Sequence, residues 1–145
     1  MFHFDRRETM ASRRLEDLHP DLQPLAHSFL RRCTDAGLDV LIYCTYRSGA
    51  EQDQLYAQGR KGNPGPIVTN ARAGQSAHNF TIQNRPAARA FDAVPLVGGK
   101  PQWDQKHPHW QIMGRIGTEL GLNWYGKPTA PFREFPHFEL PRGYQ

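Results

Sequence analysis

The stretch Phe132-Arg133-Glu134-Phe135-Pro136-His137-Phe138-Glu139-Leu140 carries the reading from which the rest of the chain is interpreted. It sets an acid, Glu134, three residues before a histidine, His137. Pro136 cannot continue a helix and pushes Phe135 into an extended conformation. The pair is therefore not the helical His-Glu-x-x-His motif of common zinc proteases, which occurs nowhere in the chain. Glu134 is expected in a turn, with His137 opening a short strand. On that strand His137 and Glu139 share one face, and Phe138 and Leu140 the other. An imidazole held on a strand beside a carboxylate suits a metal ligand with a neighbouring proton carrier. A histidine between apolar neighbours is more often a hydrogen-bonded structural residue, so the assignment depends on partners upstream.

The chain around this stretch has 145 residues, enough for one domain with a real core. A hydrophobic content of 38%, with three Trp and eight Phe, is that of a folded protein rather than a disordered one. Lys and Arg exceed Asp and Glu by 18 to 14, a net charge of +4 that favours polyanionic partners in general. The basic residues fall in scattered pairs (Arg6-Arg7, Arg13-Arg14, Arg31-Arg32), with no clustered stripe and no nucleic-acid module. Two cysteines, Cys33 and Cys44, cannot build a disulfide framework or a Cys-rich zinc site, and both are expected as buried free thiols. The first thirty residues lack an apolar signal core, and no run reaches transmembrane length. The expectation is a chain made in the cytoplasm, without membrane insertion and without its own export signal.

Taken in order, residues 1–11 read as a loosely held lead-in. Leu15, Leu18, Leu22, Leu25, Phe29 and Cys33 then mark one face of an amphipathic helix. Pro20 and Pro24 break it, with a second helix expected from about Asp21 and Gly37 as its stop. Asp39 to Thr45 reads as a buried strand. Ser48 and Glu51 form a capping box for a helix running to about Gln58, which leaves Arg47 held between a strand end and a helix start. Residues 59–76 read as a loop with a short extended piece at Ile67-Val68. Ala90 to Leu96 reads as a strand with Asp92 on one face and Phe91 and Ala93 on the other. A carboxylate inside an apolar strand needs a cation or a hydrogen-bonded turn to offset its burial. A last helix is expected from about Pro108 to Leu120, with Met113, Ile116 and Gly117 inward and Gly121 as its stop, followed by Trp124 and Tyr125 in a loop. No repeat or linker calls for a second domain, so residues 1–145 are expected to form one.

His78, Asp92 and His137 are the residues left with a chemical purpose. Two imidazoles and a carboxylate suffice to hold a catalytic zinc whose fourth position is left to water. Glu134 could take that water's proton, and Arg47 could stabilise an oxyanion or hold a substrate carboxylate. Beside Pro108 at a helix start, His107 and His109 are expected to be exposed or capping residues rather than ligands.

With these pieces in view the sequence resembles the zinc D-Ala-D-Ala carboxypeptidases and L-alanyl-D-glutamate peptidases of bacterial cell-wall metabolism. The resemblance rests on Thr45-Tyr46-Arg47-Ser48, Glu51-Gln52, Leu55-Tyr56-Ala57-Gln58-Gly59-Arg60, Ser76-Ala77-His78, Ala90-Phe91-Asp92, Gly121-Leu122-Asn123-Trp124 and Glu134-Phe135-Pro136-His137-Phe138, in that order. It implies one zinc ion on His78, Asp92 and His137, with Glu134 as general base and Arg47 on substrate or transition state. Ser76, Gln52 and Trp124 would touch substrate or support the ligands. The implied fold is a small α+β domain whose central antiparallel sheet carries the metal site, flanked by helices. The implied partner is the peptide stem of peptidoglycan, cut at L-Ala–D-Glu or, alternatively, at D-Ala–D-Ala. Chain length and the Leu55-to-Arg60 stretch look most like phage endolysins, monomers released to the wall when a holin opens the membrane.

The pattern departs in one place. Many members carry the Asp about seven residues after the first His with a Gly between; here Asp92 comes fourteen positions after His78 and that Gly is missing. Thr81 to Arg89 therefore reads as an inserted loop, tolerable because added loop length has only a slow entropic cost. Two readings without catalysis remain: a basic binder of wall polymer or nucleic acid, and a metal-binding but inactive relative of the hedgehog type.

Overall fold

The computed structural model describes residues 11–130 and 133–141. Most of the expected lead-in, and Phe132 of the opening stretch, lie outside them. Among the described residues are three α-helices: α1 (Gln23–Asp35), α2 (Gly49–Ala57) and α3 (His109–Glu119). The strands are β1 (Asp39–Cys44), β2 (Thr81–Ile82), β3 (Arg85–Pro86), β4 (Ala90–Val97), β5 (Lys100–Pro101), β6 (Asn123–Trp124) and β7 (His137–Glu139). The main sheet runs β1-β4-β7-β6 with β5 also on β4, and every pairing in it is antiparallel. No helix among the described residues is long and apolar enough to cross a membrane.

The two prolines act as expected. The early face makes only a short 3-10 turn at Leu15–Asp17, and the helix starts at Gln23, slightly later than the expected Asp21. Pro24 falls in its first turn, where no backbone N–H is needed. Its inner residues Ala26, Phe29 and Cys33 are buried, and Gly37 closes it at φ +85°. Helix α2 carries the full capping box: Ser48 Oγ accepts from the Glu51 N–H, and the Glu51 carboxylate accepts from the Ser48 N–H.

Three differences from the sequence reading have local causes. Ile67-Val68 joins no strand, because side chains of α2 and its C-terminal extension hold this loop instead. Trp124 lies in strand β6 rather than in a loop, since Asn123 and Trp124 pair with Glu139 and Phe138. The insertion after His78 folds into the hairpin β2–β3, whose two turn residues, Gln83 and Asn84, take φ values of +52° and +62°. Positive φ at both central positions is the turn geometry that matches strand twist.

One face of the sheet packs on α1 and α3. Phe91 of β4 pairs in register with Phe138 of β7, their rings stacked 5.4 Å apart, and Phe29 of α1 closes on both at 5.2 and 4.8 Å. Because alternate side chains point to opposite faces, this aromatic packing directs Asp92, His137 and Glu139 to the other face.

Helix α3 approaches the sheet through two glycines. A Cβ on Gly117 would sit 2.5 Å from the Phe138 ring, and one on Gly114 would sit 2.3 Å from the Trp124 ring. Alanine is better than glycine in a helix by about 1 kcal/mol. Forcing a methyl into a packed ring costs about 1–3 kcal/mol. Gly117→Ala is therefore expected to lower unfolding stability in a denaturant titration, and a stabilised variant would show that α3 does not pack this tightly.

Candidate active site

Strand register assembles the base of the site. Asp92 of β4 is paired with His137 of β7 on one side and with Cys44 of β1 on the other. Cys44 occupies that place because the ladder slips between Ile42 and Cys44, leaving Tyr43 as the extra residue of a bulge. Three cross-strand neighbours thus form a row on the face away from the aromatic core.

His78 comes in above this row on a short 3-10 turn, Ala77–Asn79. Ser76 caps the turn: its Oγ accepts from the His78 N–H at 3.2 Å. Asn79 returns the contact, its Oδ1 accepting from the Ser76 N–H while its Nδ2 donates to the Arg47 carbonyl. The Arg47 N–H in turn donates to the His78 carbonyl at 2.9 Å. The segment bearing His78 is therefore fixed to the segment bearing Arg47. The hairpin β2–β3 projects beyond it, its far end fixed where the Arg89 N–H donates to the Ala77 carbonyl.

Both imidazoles converge on one atom. His78 Nε2 and His137 Nδ1 each lie 3.2 Å from Asp92 Oδ1, and their rings are 5.2 Å apart. All three residues are buried. The outer nitrogens have fixed partners: His78 Nδ1 donates to the Thr45 carbonyl at 2.8 Å, and His137 Nε2 donates to Glu139 Oε1 at 2.8 Å. A carbonyl only accepts, so the Thr45 bond places the proton of neutral His78 on Nδ1. Likewise the Glu139 bond places that of neutral His137 on Nε2. The two inner lone pairs then face a carboxylate oxygen, an arrangement that requires a cation, either protons or a metal.

The donor chemistry fits a metal. Orientation of a ligating histidine through its other nitrogen is the usual support for such a ligand. Two ligands about 2.0–2.1 Å from one ion at a tetrahedral angle stand about 3.3 Å apart, close to the spacing seen here. A second donor set shares two of these residues: Cys44, His78 and Asp92 each offer a ligand atom within 4.8 Å of the others. Cys44 Sγ lies on the Nδ1 side of His78, 3.5 Å away, and also accepts from Arg47 at 3.2 Å.

Arg47, Ser76, His78, Asp92, Glu134 and His137 all line one cleft of about 430 Å³. Glu134 is positioned by its backbone, which donates to the Tyr125 carbonyl and accepts from the His137 N–H. The buried Arg47 guanidinium donates to Gln52 Oε1 at 2.9 Å and lies 3.9 Å from Asp92 Oδ2. Two expected residues stand outside the cleft. Gln52 is fully buried behind Arg47, and Trp124 is in the core, its indole donating to the Phe135 carbonyl. The aromatic that borders the cleft is Tyr125, whose hydroxyl donates to Glu139 Oε2 at 3.3 Å. His107 and His109 sit at the start of α3, where the His107 ring accepts from the His109 N–H. Cys33 and Cys44 are both free and buried, and burial pushes the Cys33 thiol up to about 12. Sequence reasoning missed Cys44 and the Thr45 carbonyl, which only strand register and tertiary contact bring to the site. The Glu139 anchor was more accessible, since alternation places it on the His137 face.

Burial by itself disfavours charge on all three central groups, but their mutual attraction wins. Cys44 and Asp92 hold the His78 pKa well above the usual histidine value despite its desolvation. Asp92 and Glu139 likewise raise His137, to about 9. Against its own burial, Asp92 is held well below the usual carboxylate range by His78 and His137. A raised histidine pKa stabilises the fold below the unfolded value and loses that contribution as pH climbs through the folded one; a lowered Asp loses its contribution at the acid end. The chelated protein is therefore expected to melt at lower temperature as pH rises from about 6.5 through 9, while divalent metal binds more tightly over the same interval. Calorimetry with and without metal checks both, and a chelated protein stabilised on that rise would contradict the assignment.

No protein-family model matches the chain. It is 35% identical over 134 residues to the peptidoglycan L-alanyl-D-glutamate endopeptidase CwlK of Bacillus subtilis (strain 168), which covers 86% of this chain and 74% of CwlK. Its fold is similar to that of the Serratia marcescens L-Ala D-Glu endopeptidase ChiX, with a TM-score of 0.59 and 19% identity over 92% of this chain and 88% of ChiX. That structural likeness concerns the fold, whereas the sequence identity to CwlK carries descent. The chain is a peptidase and belongs to the family of D-Ala-D-Ala carboxypeptidases and L-alanyl-D-glutamate peptidases.

Proposed function

We propose that the protein is a zinc-dependent peptidase of peptidoglycan that cuts the L-Ala–D-Glu bond of peptide stems. The observation that carries this reading is the convergence of His78 Nε2 and His137 Nδ1 on one Asp92 oxygen, in a cleft that Glu134 and Arg47 also line. The bond specificity follows the activity named for CwlK. Of the two donor sets, His78, Asp92 and His137 fit better, because the His78 nitrogen on the Cys44 side is committed to the Thr45 carbonyl. The family's phage endolysin branch supplies the biological role: a monomer that reaches the wall after a holin permeabilises the membrane.

Zinc held by those three residues would supply a Lewis acid able to bring the pKa of a water towards neutrality. The Glu134 carboxylate accepts a proton from the attacking water, whose oxygen bonds to the scissile carbonyl carbon. As the C–N bond breaks, Glu134 returns that proton to the departing amine nitrogen. Arg47, held rigid by Gln52, stabilises the negative charge that develops on the carbonyl oxygen or holds a stem carboxylate. His78 Nδ1 and His137 Nε2 keep their own protons throughout, donated to the Thr45 carbonyl and the Glu139 carboxylate.

Mass analysis of digested muropeptides, with and without a chelator, tests the reading. Newly exposed L-Ala ends that vanish with the chelator are expected. Free D-Ala would instead establish the carboxypeptidase alternative, and unchanged muropeptides would exclude both. Glu134→Ala is expected to lower the rate by about 10²–10⁴-fold with close to one equivalent of metal retained. Full activity in that variant would remove Glu134 from the reaction.

A further inference from the structure

The wall of the cleft opposite the sheet is formed by the loop after α2, where residues 68–71 line the opening. This loop has turns and bends but no strand of its own. Its order comes from side chains of α2 and the residues just beyond it. Asp53 accepts from the Ala73 N–H at 2.8 Å, Gln58 donates to the Pro66 carbonyl at 2.9 Å, and Arg60 donates to the Thr69 carbonyl at 3.0 Å. Gln52 differs from these three because it also reaches Arg47. Its Nε2 donates to the Ala71 carbonyl at 2.8 Å and approaches Thr69 Oγ1 at 3.5 Å, while its Oε1 accepts from Arg47 Nη1 at 2.9 Å. Gln52 has no exposed surface, so water cannot replace either partner. Arg47 leans on that acceptor strongly: among the described residues its Nε has no hydrogen-bond partner, and the guanidinium otherwise meets Asp92 and the weakly accepting Cys44 sulfur.

We propose that Gln52 is a positioning residue whose carboxamide does two separable things: its oxygen aims the Arg47 guanidinium, and its nitrogen fixes the cleft wall at residues 69–71. The first governs charge stabilisation during bond cleavage, and the second governs how well the stem peptide is held. The inference rests on the peptidase reading. The two halves of one amide are expected to separate into kcat and KM.

The test compares Gln52→Glu with Gln52→Leu on a soluble stem peptide carrying the L-Ala–D-Glu bond. Glutamate keeps an acceptor for Arg47 but sets a second oxygen against the Ala71 carbonyl, so the wall is released. Its KM is expected to rise about tenfold, with kcat reduced less than about fivefold. Leucine removes the Arg47 and wall contacts together, along with the weaker bond from Asn79 Nδ2 at 3.4 Å, and leaves an Arg47 N–H buried without a partner; kcat is expected to fall about a hundredfold as well. Metal content and near-ultraviolet circular dichroism confirm that each variant is folded, and the glutamate variant carries the test alone if the leucine variant is not. Equal losses of kcat in both variants with KM unchanged, or wild-type constants in either, overturn the proposal. A wild-type protein that binds metal yet leaves the stem peptide uncut overturns the peptidase reading and this inference with it.

Discussion

The structure turns on a single carboxylate oxygen shared by two imidazoles. Asp92 is buried in the central strand of the sheet, where an unpaired negative charge would be severely destabilising. His78, His137 and Arg47 surround it, and each is oriented by a further partner: the Thr45 carbonyl, the Glu139 carboxylate and the Gln52 amide. The charge is therefore compensated from three sides by groups that cannot readily turn away. The same arrangement makes the inner nitrogens good metal ligands, because their tautomers and directions are set before any ion arrives.

What holds this geometry lies on the opposite side of the sheet. The stack of Phe91 on Phe138, closed by Phe29, locks the register of β4 against β7. A slip of one residue would turn His137 into the core and Phe138 into the cleft. The close approach of α3, made possible by Gly114 and Gly117, presses on the same rings. Core packing and the placement of Asp92 and His137 are thus two faces of one pairing. The hairpin between His78 and Asp92 leaves the placement of both residues undisturbed, because its ends are bonded to the frame and its strands are exposed.

Much of this was legible from residue order. The alternation in His137-Phe138-Glu139-Leu140 assigned the correct face to each side chain, and the Ser48–Glu51 box marked the start of α2 to the residue. Asp92 stands out in the sequence because a carboxylate amid Ala, Phe and Val requires compensation. The parts that stayed hidden depend on contacts between distant segments. Cys44 reaches the site through a bulge, a feature set by the pairing of β1 with β4 rather than by any local signal. Trp124 and Tyr125 are adjacent aromatics, and only the pairing of β6 with β7 decides that the first enters the core while the second borders the cleft. The loop at residues 67–68 has the composition of an extended segment, yet side-chain anchors from α2 supply the hydrogen bonds that a strand partner would have provided.

X-ray absorption at the zinc edge of the zinc-loaded protein reads directly which atoms hold the ion. Nitrogen and oxygen neighbours alone are expected at about 2.0–2.1 Å, from two imidazoles, one carboxylate and water. A sulfur scatterer at about 2.3 Å would instead put Cys44 on the metal and contradict the assignment of His78, Asp92 and His137.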